Sequence, residues 1–327
     1  MVHSNAKTRR ALLLALAGAG VLAATAAPAA DWPTRNVTVI VSFPPGSGAD
    51  TMARFYARRL REITNQPFVV ENRPGANSFL AAQAVAKATP DGYTLFFSSG
   101  SPMTTNVVLF KNVPYDSVTD FSPVARTARG TNGIVVAANS PITSIAELVA
   151  AGKKKPNSLS YASGSSVYRI ATEWFSQIAG IEALHVPYKG AAPALLDVAS
   201  GQVNFAIADI SAVLPLAKGG KLRVLAVSAD RRHPALPDVP TAIEAGVPGF
   251  EYYNWTGLYA PAKTPPAVVD NLAALVKRIS EEPETVAFLA KIGGESFFAG
   301  PQELRRYQIA ETEQWKRTAA RAGIQPE

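Results

Sequence analysis

The residues best placed to do chemistry are the glycines and the serine of residues 43–50, Phe-Pro-Pro-Gly-Ser-Gly-Ala-Asp. They follow the β-branched run Val37–Val41, which predicts a buried strand, and precede residues 51–63, whose apolar residues recur at helical spacing. A helix start carries unpaired N–H groups and partial positive charge, so this loop suits an anion. A tight turn with Asp50 as the helix N-cap is an equally good interpretation, and the two are compatible.

Side chains of the kinds that enzymes use are sparse. After residue 29 the histidines are His185 and His233, and neither has a second ligand at metal-binding spacing, so a structural role is the better interpretation for both. There is no cysteine, no G-x-S-x-G motif, no H-E-x-x-H motif and no phosphate-binding P-loop. We therefore expect no catalytic residue, no metal ion and no cofactor.

Serines at predicted strand–helix junctions are the remaining polar candidates. Each alone is most often a turn or cap residue, but they fall in three loops: Ser47; Ser98, Ser99 and Ser101; and Ser163, Ser165 and Ser166. Three converging helix starts with several hydrogen bonds supply a good part of the roughly 8 kcal/mol that micromolar binding requires. Lys189 suits a pocket edge and solvent equally, and for Arg169, inside a predicted helix, a surface or structural role is favoured.

Residues 1–29 have the pattern of a signal peptide. A basic start with Lys7, Arg9 and Arg10 precedes a small apolar stretch and the Ala27-Pro28-Ala29 cleavage pattern. Because Thr8 to Leu13 also resembles a twin-arginine signal, both export routes stay open, and we expect a periplasmic protein. Cleavage lowers the net charge from +7 to +4, and no basic run is interleaved with aromatic residues, so nucleic acid is not an expected partner.

The elements that must position these loops alternate between strand and helix, which predicts an α/β fold with mainly parallel sheets. Predicted strands are residues 37–41, 68–70, 94–98, 133–137, 159–162, 183–186, 203–208 and 222–227. Two blocks of similar size place lobe 1 at residues 30–133 and 257–327 and lobe 2 at 134–256, with a cleft between them. The stretch after residue 257 reads as helical, with Thr264 capping a helix that starts at Pro265 and Pro301 opening the last helix.

Several ordered motifs resemble the Bug-type extracytoplasmic solute receptors of tripartite tricarboxylate transporters. They are residues 43–50 with Ala53 and Arg54, 70–76 (Val-Glu-Asn-Arg-Pro-Gly-Ala), 89–95 (Thr-Pro-Asp-Gly-Tyr-Thr-Leu), 186–190 (Val-Pro-Tyr-Lys-Gly) with Pro193, Ala194 and Asp197, 201–203, 236–241 and 259–265. The match runs in order over essentially the whole chain after residue 29. It implies a two-lobed periplasmic binding protein (type II-like) that closes on a small carboxylate and delivers it to membrane permease subunits.

The resemblance also implies which residues bind the ligand through backbone amides, hydroxyls and bridging waters. Carried onto this sequence they are Phe43, Pro45, Gly46, Ser47, Ala49, Ser98, Ser99, Gly100, Ser101, Ser163, Ser165, Ser166, Tyr188, Lys189, Gly190 and Asp209. We expect a monomer with no enzymatic activity.

The sequence departs from that family pattern at residues 163–169, where family members usually have a more glycine-rich loop and a histidine in place of Arg169, and at Ser47, which replaces a commoner glycine. The acid therefore stays open between a di- or tricarboxylate, an amino acid and an aromatic acid. Two alternatives remain: a sensory receptor that docks on the outer domain of a signalling protein, and a periplasmic serine hydrolase with His185 as the base.

Overall fold

Eleven strands form two sheets in the computed structural model, which describes residues 32–327; the predicted signal peptide lies outside the described residues. The strands are β1 Val37–Val41, β2 Phe68–Asn72, β3 Thr94–Ser99, β4 Phe121–Gly130, β5 Asn132–Ala137, β6 Leu159–Ser163, β7 Ala183–Pro187, β8 Phe205–Asp209, β9 Leu222–Val227, β10 Asn254–Pro261 and β11 Gly294–Ala299. Every strand predicted from β-branched and aromatic runs is present within a few residues of its expected bounds.

The first sheet has the order β11-β4-β10-β3-β1-β2, and the second has the order β7-β6-β8-β5-β9. The chain enters the second sheet between β4 and β5 and returns to the first between β9 and β10, so it crosses twice. Both sheets are mixed, because β10, β4 and β11 pair antiparallel in the first and β5 pairs antiparallel with β8 and β9 in the second. The prediction of mainly parallel sheets is therefore wrong, although the α/β class is confirmed.

Helices join the strands and cover both sheets. They are α1 Gly48–Thr64, α2 Phe79–Ala86, α3 Asn106–Leu109, α4 Ile145–Lys154, α5 Ser166–Ala179, α6 Ala191–Ala199, α7 Ile210–Lys218, α8 Pro266–Glu281, α9 Pro283–Lys291 and α10 Pro301–Arg321, with one π-helical turn at Ser101–Thr105 before α3. Helices α8 and α10 pack on β4 of the first sheet, as expected for the C-terminal part.

Three strands were missing from the sequence prediction, and one helix start was misplaced. Strands β4 and β10 lie in segments that read as polar or helical, and β11 interrupts a stretch expected to be wholly helical. The N-cap of α8 is Pro265, whereas the Thr264 hydroxyl donates to the carbonyl of Pro261 at 2.8 Å and so closes the preceding turn. Local pattern favoured Thr264 as the cap because threonine commonly caps helices.

One apolar cluster connects the two sheets on the side of α5 and α10. Phe175 and Phe250 are fully buried beneath the second sheet, and Trp315 of α10, a helix that packs on the first sheet, joins the same cluster. The ring of Trp315 lies 5.9 Å from that of Trp174 and 5.7 Å from that of Tyr252. The two sheets therefore share part of their core, and the predicted lobe boundaries at 134 and 257 stay a prediction.

Among residues 32–327, no helix is both long and apolar enough to cross a membrane. In the same part of the chain, no group of three or more His, Cys, Asp or Glu residues is arranged to hold a metal ion.

Candidate ligand cavity

A cavity of about 600 Å³ lies where loops at the strand ends of both sheets meet. Of the sixteen residues singled out from the sequence, twelve line it: Phe43, Pro45, Gly46, Ser47, Ala49, Ser99, Gly100, Ser101, Ser165, Lys189, Gly190 and Asp209. The structure thus brings together loops that are up to 160 residues apart in the chain. A binding role for each of them stays a prediction.

The loop before α1 is held by its own side chains. Ser47 is the N-cap of α1 and accepts from the amide of Asp50 at 3.2 Å, while Asp50 Oδ2 accepts from the amide of Gly46 at 2.8 Å. The Asp50 side chain thus bonds the amide one residue before the N-cap, a variation on the capping box, and Asp50 is the third helical residue and not the N-cap. Burial alone would raise the pKa of Asp50, but hydrogen bonds from Arg54, Gly46 and Asn72 outweigh it and lower that pKa.

Two helix starts offer unpaired backbone donors to the cavity. Gly48 and Ala49 are the first residues of α1, and Ala191 and Ala192 are the first of α6; all four line the cavity. First-turn N–H groups have no carbonyl partner within their own helix, and these helices add partial positive charge. Ser165 caps α5 without a side-chain hydrogen bond to that helix, which leaves its hydroxyl available beside these amides.

Close backbone approach explains one glycine in this cluster. A Cβ atom on Gly164 would lie 2.5 Å from the carbonyl carbon of Gly190 and 2.6 Å from the amide nitrogen of Ala191. Gly190 itself has φ +124°, which favours glycine. The glycine at 164 therefore allows the loop before α6 to lie against the loop before α5.

Asp209 and Asn254 join the second sheet to the first at the cavity wall. Asp209 ends β8 and caps α7 by accepting from the amide of Ser211 at 2.8 Å. Its Oδ2 accepts from Asn254 Nδ2 at 2.6 Å, and Asn254 also donates to the hydroxyl of Tyr168 at 3.0 Å. Burial raises the pKa of Asp209 more than these hydrogen bonds lower it. A Cβ on Gly48 would lie 3.5 Å from the same Oδ2, so α1 touches this pair.

Two basic residues line the cavity and differ in their partners. Arg129 pairs with Glu295 and stacks over the rings of Tyr253 at 4.0 Å and Phe297 at 4.2 Å. Lys189 is exposed and, within residues 32–327, makes no recorded hydrogen bond or ion pair through its side chain. The charge of Lys189 is therefore the one more open to a ligand.

Four of the singled-out residues do not line the cavity. Ser98 is buried on β3, Ser166 donates to Asn106 Oδ1 at 2.7 Å, and Tyr188 donates to Asp197 Oδ2 at 2.6 Å. Ser163 is hydrogen bonded to His185 Nε2 at 2.7 Å. For Ser98 and Ser163, the reason is that successive side chains along a strand alternate between its two faces.

Ser163 and His185 have the contact that a serine hydrolase needs, but not its surroundings. Burial, together with the charge of Arg169, lowers the pKa of His185 to about 4, so its ring is neutral near pH 7. Neither residue is among the cavity-lining residues. Arg169 is paired with Glu327 at 2.5 Å, which agrees with the structural role expected for it.

Sequence reasoning missed Asn254, Tyr168, Arg129 and Trp255, all of which line the cavity. Asn254 and Arg129 lie on strands that were not predicted, so nothing placed them at a strand end. Tyr168 is in the predicted loop–helix segment 163–169 and could have been found there. Trp255 lies just before residue 257, after which the sequence predicts a helical stretch, so no strand was expected there.

Comparisons with known proteins extend over most of the chain. The profile described as "Tripartite tricarboxylate transporter family receptor" matches residues 52–324. Protein BugT of Bordetella pertussis is 33% identical over 308 residues, which cover 92% of this chain and 94% of BugT.

Two solved structures are also similar. The Rhodopseudomonas palustris protein Rpa4515 with adipate is 38% identical, with a TM-score of 0.86, covering 91% of this chain and 100% of that one. MatC from the same organism, with bound malate, is 31% identical, with a TM-score of 0.81 and coverage of 88% and 99%.

Proposed function

The chain belongs to the tripartite tricarboxylate transporter receptor family, and from this premise we propose that it captures a small carboxylate and passes it to a membrane permease. The predicted resemblance to Bug-type receptors is confirmed, as is the two-lobed α/β fold of periplasmic binding proteins. Family membership and fold do not identify the acid or the partner, so both belong to the proposal.

The observation that carries the proposal is the convergence of unpaired donors on one cavity. The first amides of α1 and α6, the Ser165 hydroxyl and the Lys189 ammonium all border it. A helix start stabilises an anion by about 0.3–1 kcal/mol at an exposed site and by up to ~2 kcal/mol when partly buried. Two such starts with a few hydrogen bonds are enough to hold a carboxylate without a buried cation.

Capture without chemistry fits the same side chains. Two of the similar structures hold the small carboxylates adipate and malate. In this chain the Ser163–His185 pair lies outside the cavity lining, so a carboxylate held at the helix starts would not meet it. We therefore propose a binding protein that acts in the periplasm and has no catalytic step.

Isothermal titration calorimetry against mono-, di- and tricarboxylates, with thermal unfolding in parallel, tests this proposal. A ligand present at 100 times its Kd adds about 2.7 kcal/mol to the free energy of unfolding, so it also raises the melting temperature. Absence of heat and of a thermal shift with every acid would contradict carboxylate capture. Uptake of the bound acid by cells with and without the gene then tests delivery to a permease.

A further inference from the structure

The lining of the cavity is of two chemical kinds. One is the set of donors described above. The other is an apolar wall from three helices: Leu195 and Leu196 of α6, Pro215 and Leu216 of α7, and Leu289 with Ile292 at the end of α9. This apolar wall was not predicted from the sequence and is not needed to hold a carboxylate.

The apolar wall is formed by helices that pack on both sheets. Helices α6 and α7 pack on the second sheet, and on α7 Ala212, Pro215 and Leu216 recur at one-turn spacing along the face that lines the cavity. Helix α9 packs on β11 of the first sheet and contributes Leu289, which is itself fully buried. A ligand in the cavity would therefore meet hydrocarbon mainly from α6 and α7.

Leu196 is the most informative residue of this wall. Its surface is 58% exposed, although its neighbour Leu195 is buried in the core and only 1% exposed. A leucine left this exposed gains apolar contact when a ligand covers it, since burial of apolar surface is worth about 25 cal/mol per Å².

The charged residues that line the cavity are Arg129, Lys189 and Asp209, and none of them lies within α6, α7 or α9, although Asp209 directly precedes α7 and Lys189 precedes α6 by two residues. Arg129 is already paired with Glu295. A second carboxylate placed among the leucines would meet no cation on these helices and would lose hydration, which is costly.

We propose that the preferred ligand is a carboxylic acid with a hydrocarbon body, a straight chain or an aromatic ring, and not a short hydroxylated or polyanionic acid. This inference rests on the proposed carboxylate capture and adds the chemistry of the rest of the ligand. The carboxylate lies at the helix starts, and the hydrocarbon lies against Leu196 and Leu216.

A chain-length series measured by calorimetry tests the body of the ligand. Each buried methylene is worth about 0.8 kcal/mol, so affinity should rise about three- to fourfold per carbon from butyrate through hexanoate to octanoate. Malate and citrate should bind more weakly than hexanoate. Affinity that is flat along the series, or tighter for malate than for hexanoate, would overturn the proposal.

Two outcomes separate this inference from the function on which it rests. If no acid of either kind binds, carboxylate capture itself fails. If octan-1-ol binds as tightly as octanoate, the apolar wall is used but the helix starts do not select an anion. That result would contradict the proposed carboxylate capture and leave the inference about a hydrocarbon body standing.

A matched pair of variants locates the hydrocarbon. Leu196→Gln should weaken octanoate binding about five- to tenfold and leave butyrate within about twofold, because only the longer chain reaches that side chain. Leu184→Gln is the control, since Leu184 is 55% exposed on β7 and does not line the cavity. Equal effects of the two variants on octanoate would show that the chain does not lie against α6.

Discussion

Asp209 Oδ2 lies 2.6 Å from Asn254 Nδ2, and this contact joins the end of a strand in the second sheet to the start of a strand in the first. The same amide nitrogen is 3.1 Å from Asn132 Oδ1. One asparagine thus stabilises a half-buried acid and connects the walls of the cleft. The amide of Asn254 can donate to Asp209 because it is neutral, whereas a carboxylate at this position would repel Asp209.

Asn254→Asp should destabilise the protein, and more so as the pH rises. Two adjacent carboxyls share one proton, so one pKa is raised above its unfolded value, and the folded state is penalised once that proton is lost. We expect a loss of about 2 kcal/mol or more at pH 8 and a smaller loss at pH 5, measured by urea unfolding.

Asn204→Asp is the control for this change. Asn204 is exposed, and its Oδ1 accepts from the amide of Ser160 at 2.8 Å, a bond that aspartate also makes. A loss at Asn254 that does not depend on pH would contradict the shared-proton explanation.

Ser47→Asp should abolish or strongly weaken carboxylate binding while the fold survives. Aspartate caps helices as well as serine does, so the free energy of unfolding should change by less than about 1 kcal/mol. The new negative charge borders the cavity, and we expect affinity for any carboxylate to fall at least about tenfold, equivalent to about 1.4 kcal/mol.

Ser144→Asp provides the matched comparison. Ser144 caps α4 by accepting from the amide of Glu147 at 3.2 Å, the same arrangement as Ser47 with Asp50, and it lies outside the cavity lining. Its affinity should equal that of the unaltered protein. Unchanged affinity in Ser47→Asp would mean that the anion is not held at α1.

Gly164→Ala should destabilise the protein and weaken ligand binding together. The added methyl group would meet the backbone of Gly190 and Ala191, which cannot move without shifting the start of α6, and such overpacking costs about 1–3 kcal/mol. Thermal unfolding and calorimetry measure the two effects.

Gly300→Ala is the comparison for that variant, because a Cβ there has no atom within 4 Å and the φ of −71° is ordinary. It should cost less than about 1 kcal/mol as an N-cap change and leave affinity alone. Full affinity in Gly164→Ala would show that the α6 loop does not contribute to binding.

His185→Gln should change how stability depends on acid pH. The folded pKa of His185, about 4, is lower than its unfolded value of about 6.5, so the folded state loses stability as the pH falls between those values. The variant lacks this titration, and its stability relative to the unaltered protein should improve from pH 7 to pH 4. If the free energies of unfolding of the two proteins changed with pH in the same way, the lowered pKa of His185 would be contradicted.

The same variant addresses catalysis. Glutamine can keep a hydrogen bond with the Ser163 hydroxyl but cannot act as a general base. We expect unchanged carboxylate affinity and no ester hydrolysis by either form. Hydrolysis that disappears in the variant would revive the serine hydrolase alternative.

The elements that the sequence predicted correctly are those whose type is indicated by a short local pattern of residues. Val37–Val41 and Leu222–Val227 are β-branched or aliphatic runs, and the glycine–serine loop after β1 is where a strand meets a helix start. These features depend on neighbours in the chain, which is why the α/β class could be inferred and why twelve of the sixteen residues singled out from the sequence line the cavity.

Strand β4 could not be inferred, because its burial depends on distant aromatic rings. Its start overlaps residues 116–123, whose pattern predicts a polar connection, and it also contains Arg126 and Arg129. In the structure Arg126 stacks over Phe297 at 3.8 Å and donates to the Phe297 carbonyl at 3.0 Å. Only the return of the chain as β11 brings that ring to β4, so Asn254 and Arg129 were missed with the strands that carry them.

The aromatic packing of Trp315 against Trp174 and Tyr252 limits how relatives can be recombined. A chimaera that takes residues 132–227 from another receptor would replace Trp174 by that receptor's residue. The new side chain would then leave a gap or a clash against Trp315 of α10. Exchange of ligand preference between family members should therefore succeed when α10 travels with the second sheet, even though it is far away in sequence.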